Sequence, residues 1–263
     1  MDSTNIKRER EYNVVKSNEL IRNTRYDLSV IEQKIVLRLI QLIKPQDTEL
    51  KEYYFNINDF CDLCGIERNN GANYIYIKNA LKKLRDKSFW MNINGVDVLC
   101  SWVSKVKINY RSGTILIRLD DDLKPFLLEL KKNFTEYALF YILAMKSKYS
   151  IRMYELLKSY RHMGGFKIEP DELRKKMLVE GYSRFYDLKR KVIENSLEEI
   201  NLYSDLTVSC EYGKSGNTVS SINFKVKYKS AKEHKATLRN IGTYLMNHIA
   251  DYRNMGKGLY EDE

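Results

Sequence analysis

The sequence predicts an α+β protein made of two similar units in tandem. Three observations predict it. The order helix, short strand, short helix, long helix, β-hairpin reads twice along the chain. Tyr74 and Tyr182 each head a long helix, with Leu84 and Val192 at equivalent core places further in. The length, 263 residues, fits one large or two small domains. A helix-turn-helix followed by a hairpin is the winged-helix arrangement, whose long helix enters a DNA major groove while the hairpin touches backbone. The fold class expected is therefore two tandem winged helices, over 1–130 and 131–229, with a tail at 230–263.

In the first unit, Ser29-x-x-Glu32 has the form of a capping box. Val30, Ile31, Ile35, Val36, Leu39 and Ile43 follow at helical spacing up to Pro45. Residues 53–57 are β-prone, and a short helix over 58–64 ends at Gly65. A long helix over 73–87 turns Ile77, Ala80, Leu81 and Leu84 inward. Alternation then runs over 98–110, with Trp102, Val106 and Ile108 on one face. Arg111-Ser112-Gly113 turns it into a partner strand at 114–119.

In the second unit, residues 135–160 carry helical periodicity, read as two helices broken near 146–150. A short strand at 166–168 and a short helix at 170–178, with Pro170 near its start, lead to a long helix over 182–201. Its inner stripe is Phe185, Leu188, Val192, Ser196 and Ile200. A second hairpin pairs 206–212 with 218–228 around the turn 213–217. In the tail, Ile241, Leu245, Ile249 and Tyr252 line one side of a helix, which is either a partner-binding face or a helix packed on the second unit.

Composition excludes several classes. With 43% hydrophobic residues and 3 prolines the chain can bury real cores and is not a disordered polymer. The longest apolar run, 138–145, is far short of the roughly 20 residues a membrane span needs. Residues 1–11 are polar and charged, unlike a signal peptide. Four cysteines are too few for a disulfide scaffold of this size, so a reducing cytoplasm is expected. Lys+Arg exceed Asp+Glu by 45 to 35, a net charge of +10, which suits an anionic partner.

Catalytic signals are weak. Cys61 and Cys64 form a CxxC, but further zinc ligands are missing among three scattered histidines and two isolated cysteines, so both thiols read as small core residues. Asp120-Asp121-Asp122 resembles a metal cluster, yet acidic residues at a helix start cap it. P-loop, nucleophile-elbow and HExxH motifs are absent. The expectation is a non-enzymatic protein with no cofactor and no metal. A nicking replication enzyme, the alternative from another class, would want paired histidines.

The basic constellations are stronger. On the second long helix Ser183, Arg184, Arg190 and Lys191 lie off the apolar stripe, with Lys189 nearer to it. Arg174 and Lys175 come from the preceding short helix. Lys225, Lys227 and Lys229 alternate along the last strand, and Lys214 sits in the hairpin turn. The first unit offers Asn73, Tyr76, Asn79, Lys82 and Lys83 on its long helix and Lys105 and Lys107 on its wing. Amide and basic side chains are what base-edge and phosphate contacts need. Ile75, Tyr76, Leu99 and Val103 are more apolar than DNA contact requires, which points to a self-association surface in the first unit.

Particular strings also resemble a known family. Residues 28–43, opening Leu28-Ser29, and the run Ala80-Leu81-Lys82-Lys83-Leu84-Arg85-Asp86-Lys87-Ser88-Phe89-Trp90 resemble the first winged-helix domain of theta-type, iteron-binding plasmid replication initiators. Tyr149-Ser150-Ile151-Arg152-Met153-Tyr154-Glu155-Leu156-Leu157-Lys158 is similar to the motif opening their second domain. Residues 182–185, Leu188-Lys189-Arg190-Lys191-Val192 and Glu198-Glu199-Ile200-Asn201 resemble their principal recognition helix, and Ser221-Ile222-Asn223-Phe224 their closing wing strand. The likeness runs in order from Val14 to Tyr228. Ser196 departs from it, standing where an alanine is usual, as does the CxxC. The resemblance implies a bacterial, cytoplasmic protein that binds double-stranded iteron repeats at a plasmid origin as a monomer. It also implies opening of adjacent A/T-rich DNA and recruitment of host replication proteins such as the helicase or its loader. A dimer repressing its own gene completes the family pattern. A winged-helix repressor without an initiation role is the alternative.

Overall fold

The computed structural model describes residues 13–57, 59–60, 73–93 and 95–248. Two elements precede the first expected helix. Strand β1 (Asn13–Ser17) leads into helix α1 (Asn18–Asn23), capped by the Ser17 hydroxyl accepting from the Leu20 N–H at 3.1 Å. Helix α2 (Val30–Gln41) has the expected capping box: Ser29 Oγ accepts from the Glu32 N–H at 3.3 Å and Glu32 Oε2 accepts from the Ser29 N–H at 2.7 Å. Strand β2 (Glu52–Asn56) and helix α3 (Asn73–Asp86) follow, α3 burying Ile77, Ala80, Leu81 and Leu84 as its spacing requires. Cys61 and Cys64, with most of the short helix read there, lie outside the described residues.

The alternation over 98–110 belongs to two sheets rather than one strand. Strand β3 (Ser88–Ile93) pairs antiparallel with β4 (Val96–Ser101), while β5 (Val103–Asn109) pairs with β6 (Thr114–Leu119). The break falls at Trp102, which is fully buried, and Val103 is buried with it. Val103 is therefore core, not part of a surface. The sequence signal for the β3–β4 hairpin was the Asn-Gly pair at 94–95, and Gly95 has the positive φ (+84°) that such turns favour. β2 adds to the far side of β6, giving the order β2-β6-β5. Asp120 caps the next turn, accepting from the Asp122 N–H at 3.2 Å, and Asp121 pairs with Arg118 at 2.8 Å. Asp120 thus does the capping that the position suggested, and Asp121 adds an ion pair. Helix α4 (Lys124–Leu127) closes the unit.

Residues 134–138 are extended, not helical. Strand β7 (Phe134–Ala138) pairs in antiparallel register with β1, and its Thr135 and Tyr137 alternate inward. Aromatic and β-branched residues favour that pleated geometry. Helices α5 (Phe140–Leu143) and α6 (Lys148–Ser159) then follow, broken where expected. Strand β8 (Gly165–Ile168), helix α7 (Pro170–Met177) and a compound recognition helix come next. That helix comprises α8 (Phe185–Leu188), a π-helical turn (Lys189–Glu194) and α9 (Asn195–Tyr203). Strands β9 (Leu206–Ser215) and β10 (Thr218–Tyr228) form the wing, turning tightly at Gly216-Asn217 instead of over five residues. The order β8-β10-β9 repeats β2-β6-β5: in each unit a short strand joins the second strand of the wing. Helix α10 (Ala231–His248) packs on the second unit through buried Ile241 and Leu245, with Asn240 Nδ2 donating to the Leu202 carbonyl at 3.3 Å. The packed-helix reading of the tail holds over those residues.

A buried polar knot joins β1 to α6. Lys16 on β1 meets Glu155 on α6 at 2.8 Å with both side chains 1% exposed. Tyr137 donates to the same carboxylate at 2.5 Å and Tyr26 at 3.3 Å. Arg152 donates to the Tyr26 hydroxyl at 3.0 Å and the Thr24 carbonyl at 2.6 Å. Tyr26 stands edge-on to Trp102, 4.9 Å between centroids. Helix α2 is held nearby as well: Lys34 Nζ donates to the Leu143 carbonyl at 2.7 Å, and Gln33 donates to the Lys148 carbonyl at 3.1 Å. The core is correspondingly continuous, running from Val14 and Leu20 through Trp102 to Ile151, Leu188 and Ile222.

Candidate nucleic-acid interface

The second unit's helix-turn-helix is held by one arginine. After α7, Leu178 adopts left-handed backbone (φ +52°), which ends the helix and turns the chain. The Arg174 guanidinium donates to the carbonyls of Tyr182 at 2.8 Å and Ser183 at 3.1 Å, and pairs with Asp171 at 2.6 Å. Those bonds keep 182–183 out of the helix, so the recognition helix starts at Phe185, with Arg184 as its cap residue (ψ 132°), not at Tyr182. Arg174, only 11% exposed, therefore positions the helix instead of offering a free cation.

On the recognition helix Phe185, Leu188, Val192, Ser196 and Ile200 face inward as read, joined by Ile193, which the π turn rotates into the core. Arg184 and Arg190 are exposed. Arg190 Nη1 donates to the Tyr186 hydroxyl at 3.3 Å one turn back. Lys191 pairs with Asp187 at 2.8 Å and lies 5.0 Å over the Tyr182 ring. The Lys191 hydrogen bond holds the Asp187 carboxyl below its ordinary range, and the same bond raises the Lys191 ammonium. Lys189 lies against Tyr212, 5.4 Å from the ring centroid, and meets Glu194 at 3.4 Å. Lys175 is exposed at the end of α7. Tyr186, 63% exposed beside Arg190, escaped the sequence reading; its i, i+4 spacing to an arginine was the available signal.

The wing separates its three lysines. Lys227 is exposed on β10, and Lys225 crosses to Glu211 on β9. Lys229 lies past the strand end, where Nζ donates to the Asn201 carbonyl at 2.5 Å and Thr237 Oγ1 at 2.6 Å. Burial there pushes its ammonium pKa down, against the pull of Glu233 and Asp205. Lys229 thus ties α9 to α10, and the line of three positive charges reduces to two. Lys214 is exposed beside the wing tip.

In the first unit, Tyr76, Asn79, Lys82 and Lys83 are exposed on α3, with Lys82 3.8 Å from Asp86; Asn73 is the helix's first residue. Lys107 is exposed on β5, whereas Lys105 is half-buried and bonded to Glu52 at 2.6 Å.

Comparison with known proteins fits this geometry. Residues 13–158 match the family model described as Initiator Replication protein, WH1, and residues 169–226 match Initiator Rep protein, WH2. The chain belongs to the initiator replication protein family. This initiator is 26% identical over 240 residues to a replication initiation protein of Escherichia coli, the match covering 86% of this chain and 73% of that one. Its fold is also that of the Pi initiator protein, solved as a crystal structure in complex with iteron DNA: TM-score 0.66 and 17% identity over 84% of this chain and 99% of that one. Both relatives are initiators, which favours that reading over a repressor, and the family's two modules are the tandem winged helices expected from the repeat. Among the described residues of the initiator, no helix is long and apolar enough to cross a membrane.

Proposed function

We propose that this initiator binds iteron repeats at a plasmid origin in the bacterial cytoplasm, opens the neighbouring A/T-rich DNA and recruits host replication proteins. The observation that carries the reading is a pair of winged helices, in the family of initiators, with exposed cations on each long helix and wing. The relative of the same fold was captured on iteron DNA. Within this reading, the unit over 131–229 is the principal sequence reader and the unit over 1–130 contacts the same duplex and self-associates. Arg184 and Arg190 read bases, since an arginine fork matches guanine O6 and N7. Ser183, Lys175, Lys189 and Lys191 flank them, while Lys214, Lys225 and Lys227 hold phosphates. Asn73, Tyr76, Asn79, Lys82, Lys83, Lys105 and Lys107 serve the first unit. Arg174 and Lys229 act by positioning.

Affinities for repeat and random duplexes, measured at several salt concentrations, test these roles. Arg184→Ala or Arg190→Ala should lower specific binding roughly 10-fold or more and narrow the gap to random DNA. Lys227→Ala should weaken both duplexes alike and reduce the salt slope by about 1. Lys229→Ala should leave the slope unchanged. If the lysine changed base preference and the arginines did not, the two surfaces are reversed.

The dimer in this proposal uses the outward face of the β3–β4 hairpin, where Trp90 and Leu99 are directly cross-strand and exposed. Ile75 and Tyr76 are exposed on α3. Sedimentation should show a concentration-dependent dimer that Trp90→Ser abolishes; a dimer unaffected by that change rules the hairpin out as the interface.

A further inference from the structure

Two helix C-termini, α1 and α7, cap each other although 150 residues separate the groups that meet. Past the end of α7, Leu178 turns the chain, and the carbonyls of the last helical turn need partners from outside the helix. Arg25, in the loop joining α1 to α2, supplies one: its Nε donates to the Lys175 carbonyl at 2.9 Å. Its Nη2 meets the Glu180 carboxylate within the turn itself. In return Lys176 on α7 donates from Nζ to the Arg22 carbonyl, in the last turn of α1, at 2.9 Å. Cations at both C-termini also suit the negative ends of the two helix dipoles.

The Arg25 end of this contact is itself anchored to α6. Arg152 donates to the Thr24 carbonyl at 2.6 Å, and Lys148 pairs with Asp27 at 2.6 Å, so the loop is tied down on both sides of Arg25. Arg22 Nε donates to the Ser159 hydroxyl at 3.1 Å, and its guanidinium lies 3.9 Å over the Tyr160 ring. The other end of the contact is the turn that launches the recognition helix. There the Val179 N–H donates to the Arg174 carbonyl at 3.0 Å, and the Tyr182 N–H to the Val179 carbonyl at 2.9 Å. Arg174 holds that turn from within the helix-turn-helix, and Arg25 holds it from outside, at Lys175 and Glu180. Arg25 and Glu180 are 48% and 49% exposed, so their ion pair alone contributes little. The carbonyl bond at a helix end, made from an anchored loop, is what gives the contact a fixed direction.

We propose that Arg25 is a positioning residue for sequence reading: it braces the turn over 178–183 against α6 and so sets the angle at which Arg184 and Arg190 meet DNA. The inference rests on the reading that the second unit's recognition helix reads the repeat. A forked arginine–guanine pair tolerates little displacement of the helix that carries it, whereas phosphate contacts carry no base code to lose. A loosened turn therefore costs repeat DNA more than random DNA. The brace puts a determinant of specificity in the loop that leads to the Ser29 cap of α2, far in sequence from the helix it serves.

The test uses the full chain with a repeat-bearing and a random duplex at several salt concentrations. Arg25→Ala should lower repeat affinity about 3- to 10-fold while random affinity and the salt slope stay essentially unchanged. Arg25→Lys keeps the charge but loses the forked contact, and should behave like the alanine variant. Glu180→Gln removes a negative charge, which by electrostatics alone would strengthen binding to both duplexes; it should instead narrow the gap between them. Amide hydrogen exchange at Val179 and Tyr182 should quicken in Arg25→Ala, which reads the turn directly. Three results overturn the proposal. One is unchanged exchange at those amides. Another is equal loss on both duplexes, with a salt slope smaller by about 1 and recovery in Arg25→Lys, which would make Arg25 a phosphate contact. The third is an unaltered gap between duplexes in Arg25→Ala while Arg184→Ala narrows it. If Arg184→Ala and Arg190→Ala also left that gap unaltered, the sequence-reading role would fail, and faster exchange at Val179 and Tyr182 would still establish the brace on the turn.

Discussion

Glu155→Ala is expected to destabilise the chain by about 3–5 kcal/mol, the cost of leaving one member of a buried ion pair without its partner. Lys16 would then sit 1% exposed with no counter-ion, facing the rings of Trp102 and Tyr26 at 5.7 and 5.9 Å. Urea denaturation of the two proteins measures this, and a loss under about 1 kcal/mol would mean that the pair does not hold β1 to α6. Replacing both members, Lys16→Met with Glu155→Leu, should recover part of the loss, because an apolar pair removes both charge-desolvation penalties while leaving the Tyr137 hydroxyl without its acceptor. The pH dependence has a definite sign. Burial pushes the Glu155 carboxyl up, but Lys16 and Arg152, with the bonds from Lys16 and Tyr137, outweigh it and hold the group below its ordinary 4.5. A carboxyl depressed in the folded state stabilises above its unfolded value and loses that contribution as pH falls through the folded one. Acid unfolding should therefore begin below about pH 4.5 and be blunted in the apolar double variant.

Gly165→Ala should cost roughly 2–6 kcal/mol, the sum of backbone strain and a forced clash. Gly165 has φ +137°, a conformation L side chains rarely adopt, and pairs with Lys225 where β8 meets β10. A methyl group there would lie far inside contact distance of the Phe224 carbonyl oxygen and 2.9 Å from its carbon. Strand β8 would have to peel away, unstacking Phe166 from Phe224 (5.2 Å) and from Tyr160 (4.4 Å). Gly216→Ala at the wing tip is the control: its φ of +59° is strained but space is open, so the loss there should stay near 1 kcal/mol. Thermal unfolding of both variants checks this, and equal losses would show that backbone conformation alone sets the cost.

The repeat was legible because both long helices bury apolar stripes at helical spacing and both wings alternate. What the sequence did not reveal depends on pairing across distance. Residues 134–138 look helical in isolation and become a strand because β1 lies alongside them. The reading of 98–110 as one strand failed because alternation survives a change of sheet; only the buried Trp102 marks the break. Among the candidate residues, exposure followed from the helix stripe, and Arg184, Arg190 and Lys191 are exposed as read. Occupancy did not follow: Arg174 and Lys229 are cations of the same type whose hydrogen bonds go to backbone carbonyls and a threonine hydroxyl. Composition cannot distinguish a cation facing solvent from one closing a turn.

The pairing of β1 with β7, and of Lys16 with Glu155, also bears on how the chain folds as it leaves the ribosome. Glu155 is 139 residues downstream of Lys16. At about 5–20 residues per second, strand β1 waits roughly 7–28 s for its counter-ion to be synthesised. Helix α3 and the first wing are complete long before that, while β1 still lacks both its ladder partner and its counter-ion. A nascent chain stalled before β7 thus carries the first long helix and wing on an unfinished core. Such a chain exposes a bare strand edge, the template on which intermolecular pairing starts.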